Sequence, residues 1–343
     1  MLPSSLSSRN APYALCLRSP PPCLRTLVSQ LPDLSLFGVY DGHGGDTVAH
    51  YMANHFPRAL LETKQLTADM KDDDVPRRAQ LAFERSLMSI DKEMSTISEI
   101  ESGHDQSGST SVMTLISRSH IVCANTGDSR AVLSRAGAAV ALSHDHKPFN
   151  AGEKERIENA GSHVQFNRVN GDLAVSRALG DFVYKRCDAV PPEQQAVTAF
   201  PEMISEQRHP GQDEFIVLAC DGIWDVMSSQ EVVDKVRDML QNGRPPPPPV
   251  DESAVAEDAT GPTSEPRTPP PVRPWDLGAV CECLIDHCLR LGSRDNMSVI
   301  IVIVRATTLD SPARRPSLTA LHASRALTTP RVRSCRAASS TIR

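Results

Sequence analysis

Apolar runs of strand length that end on an aspartate recur along this chain and constrain its fold more than any other feature. Asp41 follows Phe37-Gly38-Val39-Tyr40, Asp221 follows the run 215–220, and Asp295 stands just ahead of the run 297–304. Asp128 follows a run ending at Asn125, and Asp225 lies one helical turn beyond Asp221. A carboxylate at a strand end sits at the rim of a rigid core, where several from distant parts of the chain can meet. Such carboxylates repel one another unless protons or cations neutralise them. Oxygen-only ligands suit hard divalent ions, magnesium or manganese, with water completing an octahedron. Gly42 and Gly222, each following one of these aspartates, permit a tight backbone that can offer a carbonyl ligand. A single Asp-Gly pair is an ordinary turn. The recurrence is what points to a metal site.

Periodicity predicts strands at 34–40, 109–116, 120–125, 131–133, 140–142, 214–220 and 297–304. It predicts helices at 46–61, 76–94, 151–159, 229–241 and 277–291, with a polar turn at 41–45. Strands grouped beside long helices, without strict βαβ alternation, make an α+β layered domain. Composition divides the chain into an irregular or non-native start (1–34), one domain (35–305) and a tail (306–343). The tail is rich in Arg, Ser, Thr and Pro with one acid, Asp310, a composition that predicts disorder. Within the domain, 243–275 holds five consecutive prolines and reads as an inserted loop between two helices. Its bland reading is a solvated spacer; the alternative is a docking segment for an SH3 or WW module.

A formal charge of −6 argues against nucleic acid as a partner. The longest apolar run, 299–304, falls far short of the ~18 residues of a membrane span. Nine cysteines at irregular spacings do not form a disulfide framework, which places the chain in a reducing compartment, cytoplasm or nucleus. Cys281, Cys283 and Cys288 read as small apolar residues on a helix, with zinc as the alternative. The first thirty residues carry three arginines, several serines and no carboxylate, so an organellar address is a second possibility, although Pro20, Pro21 and Pro22 break any helix there.

Six segments in order then carry a resemblance: 37–45 (Phe-Gly-Val-Tyr-Asp-Gly-His-Gly-Gly), 125–130 (Asn-Thr-Gly-Asp-Ser-Arg), 145–148 (Asp-His-Lys-Pro), 175–181 (Val-Ser-Arg-Ala-Leu-Gly-Asp), 219–225 (Ala-Cys-Asp-Gly-Ile-Trp-Asp) and 293–296 (Ser-Arg-Asp-Asn). Together they resemble the motif set of the type 2C metal-dependent serine/threonine protein phosphatases, over roughly residues 35 to 304. The resemblance implies a four-layer sandwich, two antiparallel β-sheets flanked by helix pairs. It also implies two Mg²⁺ or Mn²⁺ ions, with a weaker third, and phosphorylated proteins as substrates of a signalling hydrolase that acts as a monomer. Asp41 matches the carboxylate bridging two ions and Gly42 the carbonyl ligand of the second. Asp221 and Asp295 match the remaining protein ligands of the first, while Asp128 and Asp225, with Asp221, match the weaker site. His43 matches the histidine that protonates the leaving oxygen; its plain reading is a cap on the following helix. In the mechanism so implied, a hydroxide bridging the ions attacks phosphorus in line.

The chain departs from the family upstream of Asp41. There the family carries an arginine that grips phosphate and, soon after, a glutamate–aspartate pair whose glutamate binds the second ion. Here Asp33 is the only acid before Asp41, and no acidic pair follows Arg18 or Arg25. The resemblance therefore predicts a sheet lacking its first strand or strands, a weakened second ion site and impaired turnover. The alternative is a catalytically weak or dead pseudophosphatase acting as a scaffold. The substrate-binding residues and the physiological substrate stay unknown at this level.

Overall fold

Alternation along the apolar strands decides the layering. The computed structural model describes residues 12–15, 31, 33–242, 277–304, 319–325 and 338–341. In chain order the elements are β1 (Pro12–Leu15), β2 (Ser35–His43), α1 (Thr47–Glu62), α2 (Val75–Met94), β3 (Gly108–Ser109), β4 (Ser111–Ile116), β5 (His120–Thr126), β6 (Arg130–Arg135) and β7 (Ala138–Ala141). They continue with α3 (Ala151–Asn159), β8 (Val164–Gln165), β9 (Arg168–Val169), β10 (Leu179–Gly180), β11 (Glu202–Gln207) and β12 (Asp213–Ala219). The last are α4 (Ser229–Asn242), α5 (Leu277–Arg290), β13 (Met297–Ile303), β14 (Thr319–Arg325) and β15 (Ala338–Thr341).

Two antiparallel sheets result. The first runs β10-β3-β2-β4-β5-β11, with β1 also on β2; the second runs β15-β14-β13-β12-β6-β7. Phe37 and Val39 of β2 face the same inter-sheet layer as Ile216 and Leu218 of β12 and Ile300 and Val302 of β13. Their sequence neighbours point the other way. Leu36 and Tyr40 pack under α1 and α2 with Met52, Phe56, Phe83 and Leu87. Phe215, Val217, Val299 and Ile301 pack under α4 and α5 with Val232, Val236, Leu284 and Cys288. A period-two strand with both faces apolar must be covered on both sides. The outcome is helix pair, sheet, sheet, helix pair, the four-layer α+β sandwich. Cys281 and Cys288 lie in its apolar outer layer, and among the described residues no helix is long and apolar enough to cross a membrane.

Three differences from the sequence reading bear on the edges of the sheets. β2 does not turn at Asp41 but runs to His43, because β3 gives it a partner there, Gly42↔Ser109 and His43↔Gly108. The start of the chain, expected to be irregular and to leave the sheet without its first strand, contributes β1, registered Pro12↔Asp41 to Leu15↔Gly38. The tail, expected to be disordered, contributes β14, which pairs with β13 from Met297↔Arg325 to Ile303↔Thr319, and β15 beyond it. One physical reason covers both ends. An edge strand offers a row of unpaired N–H and C=O groups, and pairing with them needs only backbone. The proline-rich insertion 243–275 lies outside the described residues.

A small separate cluster, Ile157, Val169, Val175, Ala178 and Val197, sits under α3. Buried charge holds its segments together. Glu153 accepts from Arg177 Nη2 at 2.7 Å, Arg156 Nη1 at 2.8 Å and Ser176 Oγ at 2.5 Å. Burial alone would raise its carboxyl, but Arg177, Arg156 and Ser176 outweigh that and bring it down to about 2. The folded value lies below the unfolded 4.5, so this stabilisation is complete above about pH 4.5 and is lost as the pH falls towards 2. His146 adds to the same trend. Burial first, then Arg177, lowers it from 6.5 to about 3, so between those values acid favours the unfolded chain, which alone takes the proton. Glu153→Gln is expected to cost about 3 kcal/mol at neutral pH, from a shift of roughly two units and the two arginines left unpaired. It should also flatten the loss of stability between pH 4.5 and pH 2. Urea unfolding across that range checks both. An unchanged acid limb would show that the network contributes nothing to stability.

Candidate active site

The antiparallel order of the two sheets puts the aspartate-bearing ends together. Ala219, the last residue of β12, stands opposite Val299 of β13 and Arg130 of β6. Asp221 just beyond β12, Asp295 just before β13 and Asp128 just before β6 therefore share one end of the sandwich. β2 of the facing sheet brings Asp41, Gly42 and His43 to the same end, and Thr110 N donates to the Asp41 carbonyl at 2.9 Å.

Asp41, Cys220 and Asp221 each offer a ligand atom, all within 4.8 Å of one another. Burial first, then the charges of Asp221, Asp128 and Asp295, holds the Asp41 carboxyl well above the usual carboxylate range. Asp221 is pushed up to about 7 by burial and then by Asp128, Asp295 and Asp225, with Lys147 pulling the other way. Two half-buried carboxylates this close repel each other unless a proton or a cation lies between them. Asp221 Oδ1 is moreover buried without a hydrogen-bond partner. A buried carboxylate oxygen left unsatisfied beside a second carboxylate fits a hard divalent cation.

The other three aspartates stand differently. Asp295 is exposed, but its loop is locked to the Asp221 turn: Ser293 Oγ donates to the Gly222 carbonyl at 2.7 Å. A Cβ on Gly222 would lie 2.5 Å from the Asn296 carbonyl oxygen, so only glycine lets these two loops approach so closely. Asp128 is buried and paired with Lys147 Nζ at 2.5 Å. Asp225 is exposed, with its carboxyl raised first by burial and then by Asp128 and Asp295, against Lys147. Asp128 and Asp225 thus act on Asp221 through their charge, and a lysine already answers Asp128. Arg130 beside them is held by a bidentate pair to Asp145, 2.9 and 2.8 Å, and lies over the Trp224 ring at 5.1 Å.

His43 projects from the last residue of β2, and its Nε2 lies 2.6 Å from Asp181 Oδ2. Asp181 is 4% exposed and has a left-handed backbone, φ 51°. That conformation costs a residue with a Cβ roughly 1 kcal/mol. Burial alone would lower the His43 ring, and the charge and hydrogen bond of Asp181 more than reverse this, leaving it raised. Gly108 sits between the two: a Cβ there would lie 2.1 Å from Asp181 Oδ2 and 2.4 Å from His43 Nε2. Behind Asp181, Gly180 N donates to Asp91 Oδ1 of α2 at 2.8 Å, and Lys185 Nζ reaches Asp91 Oδ2 at 2.7 Å.

Asp181 and Lys147 occur in the motif segments, yet neither had a role on sequence grounds, and Gly108 and Cys220 were not singled out. The pairing of His43 with Asp181 spans 138 residues and depends on β10 and β3 meeting the end of β2. No spacing along the chain encodes it. Gly108 left one faint trace, a glycine at the head of an apolar strand.

Comparison with known proteins agrees with this geometry. Residues 16–297 match the family described as Protein phosphatase 2C. Protein phosphatase 1B of Bos taurus is 40% identical over 276 residues, 79% of this chain and 50% of that protein. Protein phosphatase 1A of Homo sapiens is likewise 40% identical over 276 residues, 80% of this chain and 64% of that protein. The chain thus spans about half to under two thirds of the length of these relatives. A crystal structure of serine-threonine phosphatase 2C from Toxoplasma gondii superposes with a TM-score of 0.62 at 22% identity, covering 88% of this chain and 96% of that one, a likeness of fold. By its family match, its relatives and its four-layer architecture, the chain belongs to the protein phosphatase 2C family.

Proposed function

We propose that this chain hydrolyses phosphoserine and phosphothreonine in proteins, in a reaction dependent on Mg²⁺ or Mn²⁺, with turnover below that of family members carrying the full ligand set. The observation that carries the reading is the half-buried Asp41–Asp221 pair with its one buried, unsatisfied oxygen, at the rim where His43 also projects. Asp41, the Gly42 carbonyl, Asp221 and Asp295 would hold the ions, which when bound supply charge neutralisation and an acidified water. The protein's own contribution is placement. Rigid strand ends fix the carboxylates, and His43 stands where a leaving serine or threonine oxygen needs a proton.

The reduced turnover rests on the residues beside β2. Opposite Gly38–Asp41 stand Pro12, Tyr13, Ala14 and Leu15, none of them an acid or an arginine. The second ion therefore lacks a carboxylate from this strand, and substrate phosphate lacks a guanidinium clamp from it. The substrates are phosphorylated proteins, and the proline-rich segment 243–275 is a candidate contact for partners.

Two measurements test the reading. In metal-free protein, Asp221→Asn removes a repulsion and is expected to raise the melting temperature by a few degrees, roughly 1 kcal/mol. The same substitution should abolish the gain that millimolar Mn²⁺ gives the unaltered chain. A variant that still gains as much would remove Asp221 from the metal site. In the second measurement, a phosphothreonine peptide with Mn²⁺ is turned over slowly by the unaltered chain, and faster once residues 12–15 are replaced by a strand bearing an arginine and a following glutamate–aspartate pair. Turnover by the unaltered chain equal to that of Protein phosphatase 1A would overturn the proposed impairment. No turnover by either version, both folded and binding Mn²⁺, would favour the scaffold.

A further inference from the structure

Asp181 is a buried carboxylate on a strained backbone, and its local surroundings give it no structural work. It precedes a short 3₁₀ turn, Phe182–Tyr184, but its side chain makes no capping hydrogen bond to that turn. Its backbone already satisfies the local connections, N–H to the Ser107 carbonyl and carbonyl to the Tyr184 N–H. What the carboxylate reaches is His43 Nε2 at 2.6 Å, with side-chain exposures of 26% for the histidine and 5% for the aspartate. Gly108 leaves room for that contact and for nothing larger. Asp91 holds the backbone just ahead of Asp181 through the Gly180 N–H, and Lys185 clamps the same Asp91 carboxylate.

We propose that Asp181 is the positioning residue of His43: it holds the Nε2–H, fixes the ring's tautomer and orientation, and makes Nδ1 the nitrogen that serves the leaving oxygen. The inference rests on the phosphatase reading above. A carboxylate that accepts from one ring nitrogen decides which proton the other carries. In the step, the P–O ester bond breaks and its electron pair goes to the serine or threonine oxygen, which takes a proton from Nδ1. The ring is left neutral with its Nε2–H on Asp181. Water adds to phosphorus through its oxygen; one of its protons stays with the phosphate and the other returns to the ring through solvent. Asp181 touches neither phosphorus nor the leaving group.

The prediction is a loss that depends on the leaving group. Asp181→Ala is expected to lower kcat on a phosphothreonine peptide about 100-fold, the scale of a displaced general acid. On p-nitrophenyl phosphate, whose leaving group needs no proton, the loss should be at least about ten times smaller. His43→Gln should show the same split, and the double variant should be no slower than His43→Gln alone. Asp181→Asn, which keeps the shape and an acceptor oxygen, should fall between Asp181→Ala and the unaltered chain. Equal losses on both substrates, or losses that multiply in the double variant, would overturn the proposal. A second readout does not need turnover. Imidazole ¹⁵N spectra of the unaltered full chain, recorded where the ring is neutral, should show His43 protonated at Nε2, and Asp181→Ala should abolish that preference. A mixed tautomer in the unaltered chain, or an unchanged spectrum in the variant, would likewise overturn it. Absence of turnover with the expected spectrum would sink the phosphatase reading and leave the positioning of His43 standing.

Discussion

Carboxylates that converge at the end of a rigid sandwich set the terms for the rest of this molecule. Asp41 and Asp221 reach that point from different sheets, and Asp128 and Asp295 add their charge nearby. Within the cluster one buried oxygen, Asp221 Oδ1, has no hydrogen-bond partner. Removing two charges from water is costly, and bringing them together is costlier. The layers must supply that free energy. They do so with two sheets that bury both faces and two helix pairs that cover them. The close approaches at Gly222 and Gly108 and the left-handed backbone of Asp181 are tolerated on the same foundation.

Cation binding and folding are therefore one equilibrium seen from two sides. Any ion that binds the folded cluster and not the unfolded chain stabilises the fold by mass action. The fold in turn fixes which ions fit, since strand ends leave little freedom to adjust ligand distances. The β1 strand sharpens the point. Backbone pairing alone completes the sheet edge at Pro12–Leu15, so the architecture closes there without the side chains that the family uses at that place. Fold and chemistry are separable at this edge in a way they are not at Asp41 or Asp221.

The layered fold was legible because 36–40, 215–219 and 299–302 are unbroken apolar runs of strand length, which need cover on both faces, and because helical period marks 47–62 and 75–94. The convergence of the aspartates was legible for the related reason that a strand end is a place on a surface. Three classes of feature were not legible. Edge strands such as β11, half exposed and polar, carry no apolar signal. β1, β14 and β15 pair through backbone, which composition does not report. Contacts such as His43 to Asp181 exist only once three chain segments meet, and the local sequence around each says nothing of the other.

The hydrogen bond from Gly180 to Asp91 gives α2 a second character. On its inner face the helix is a slab of core, Ala79, Phe83, Leu87 and Ile90. At Asp91 it is also the datum from which the backbone holding His43's partner is measured, with Lys185 clamping the same carboxylate. A core substitution that shifts this helix by a fraction of an ångström also shifts the backbone that carries the partner of His43. For this helix, selection for stability and selection for rate act on the same atoms.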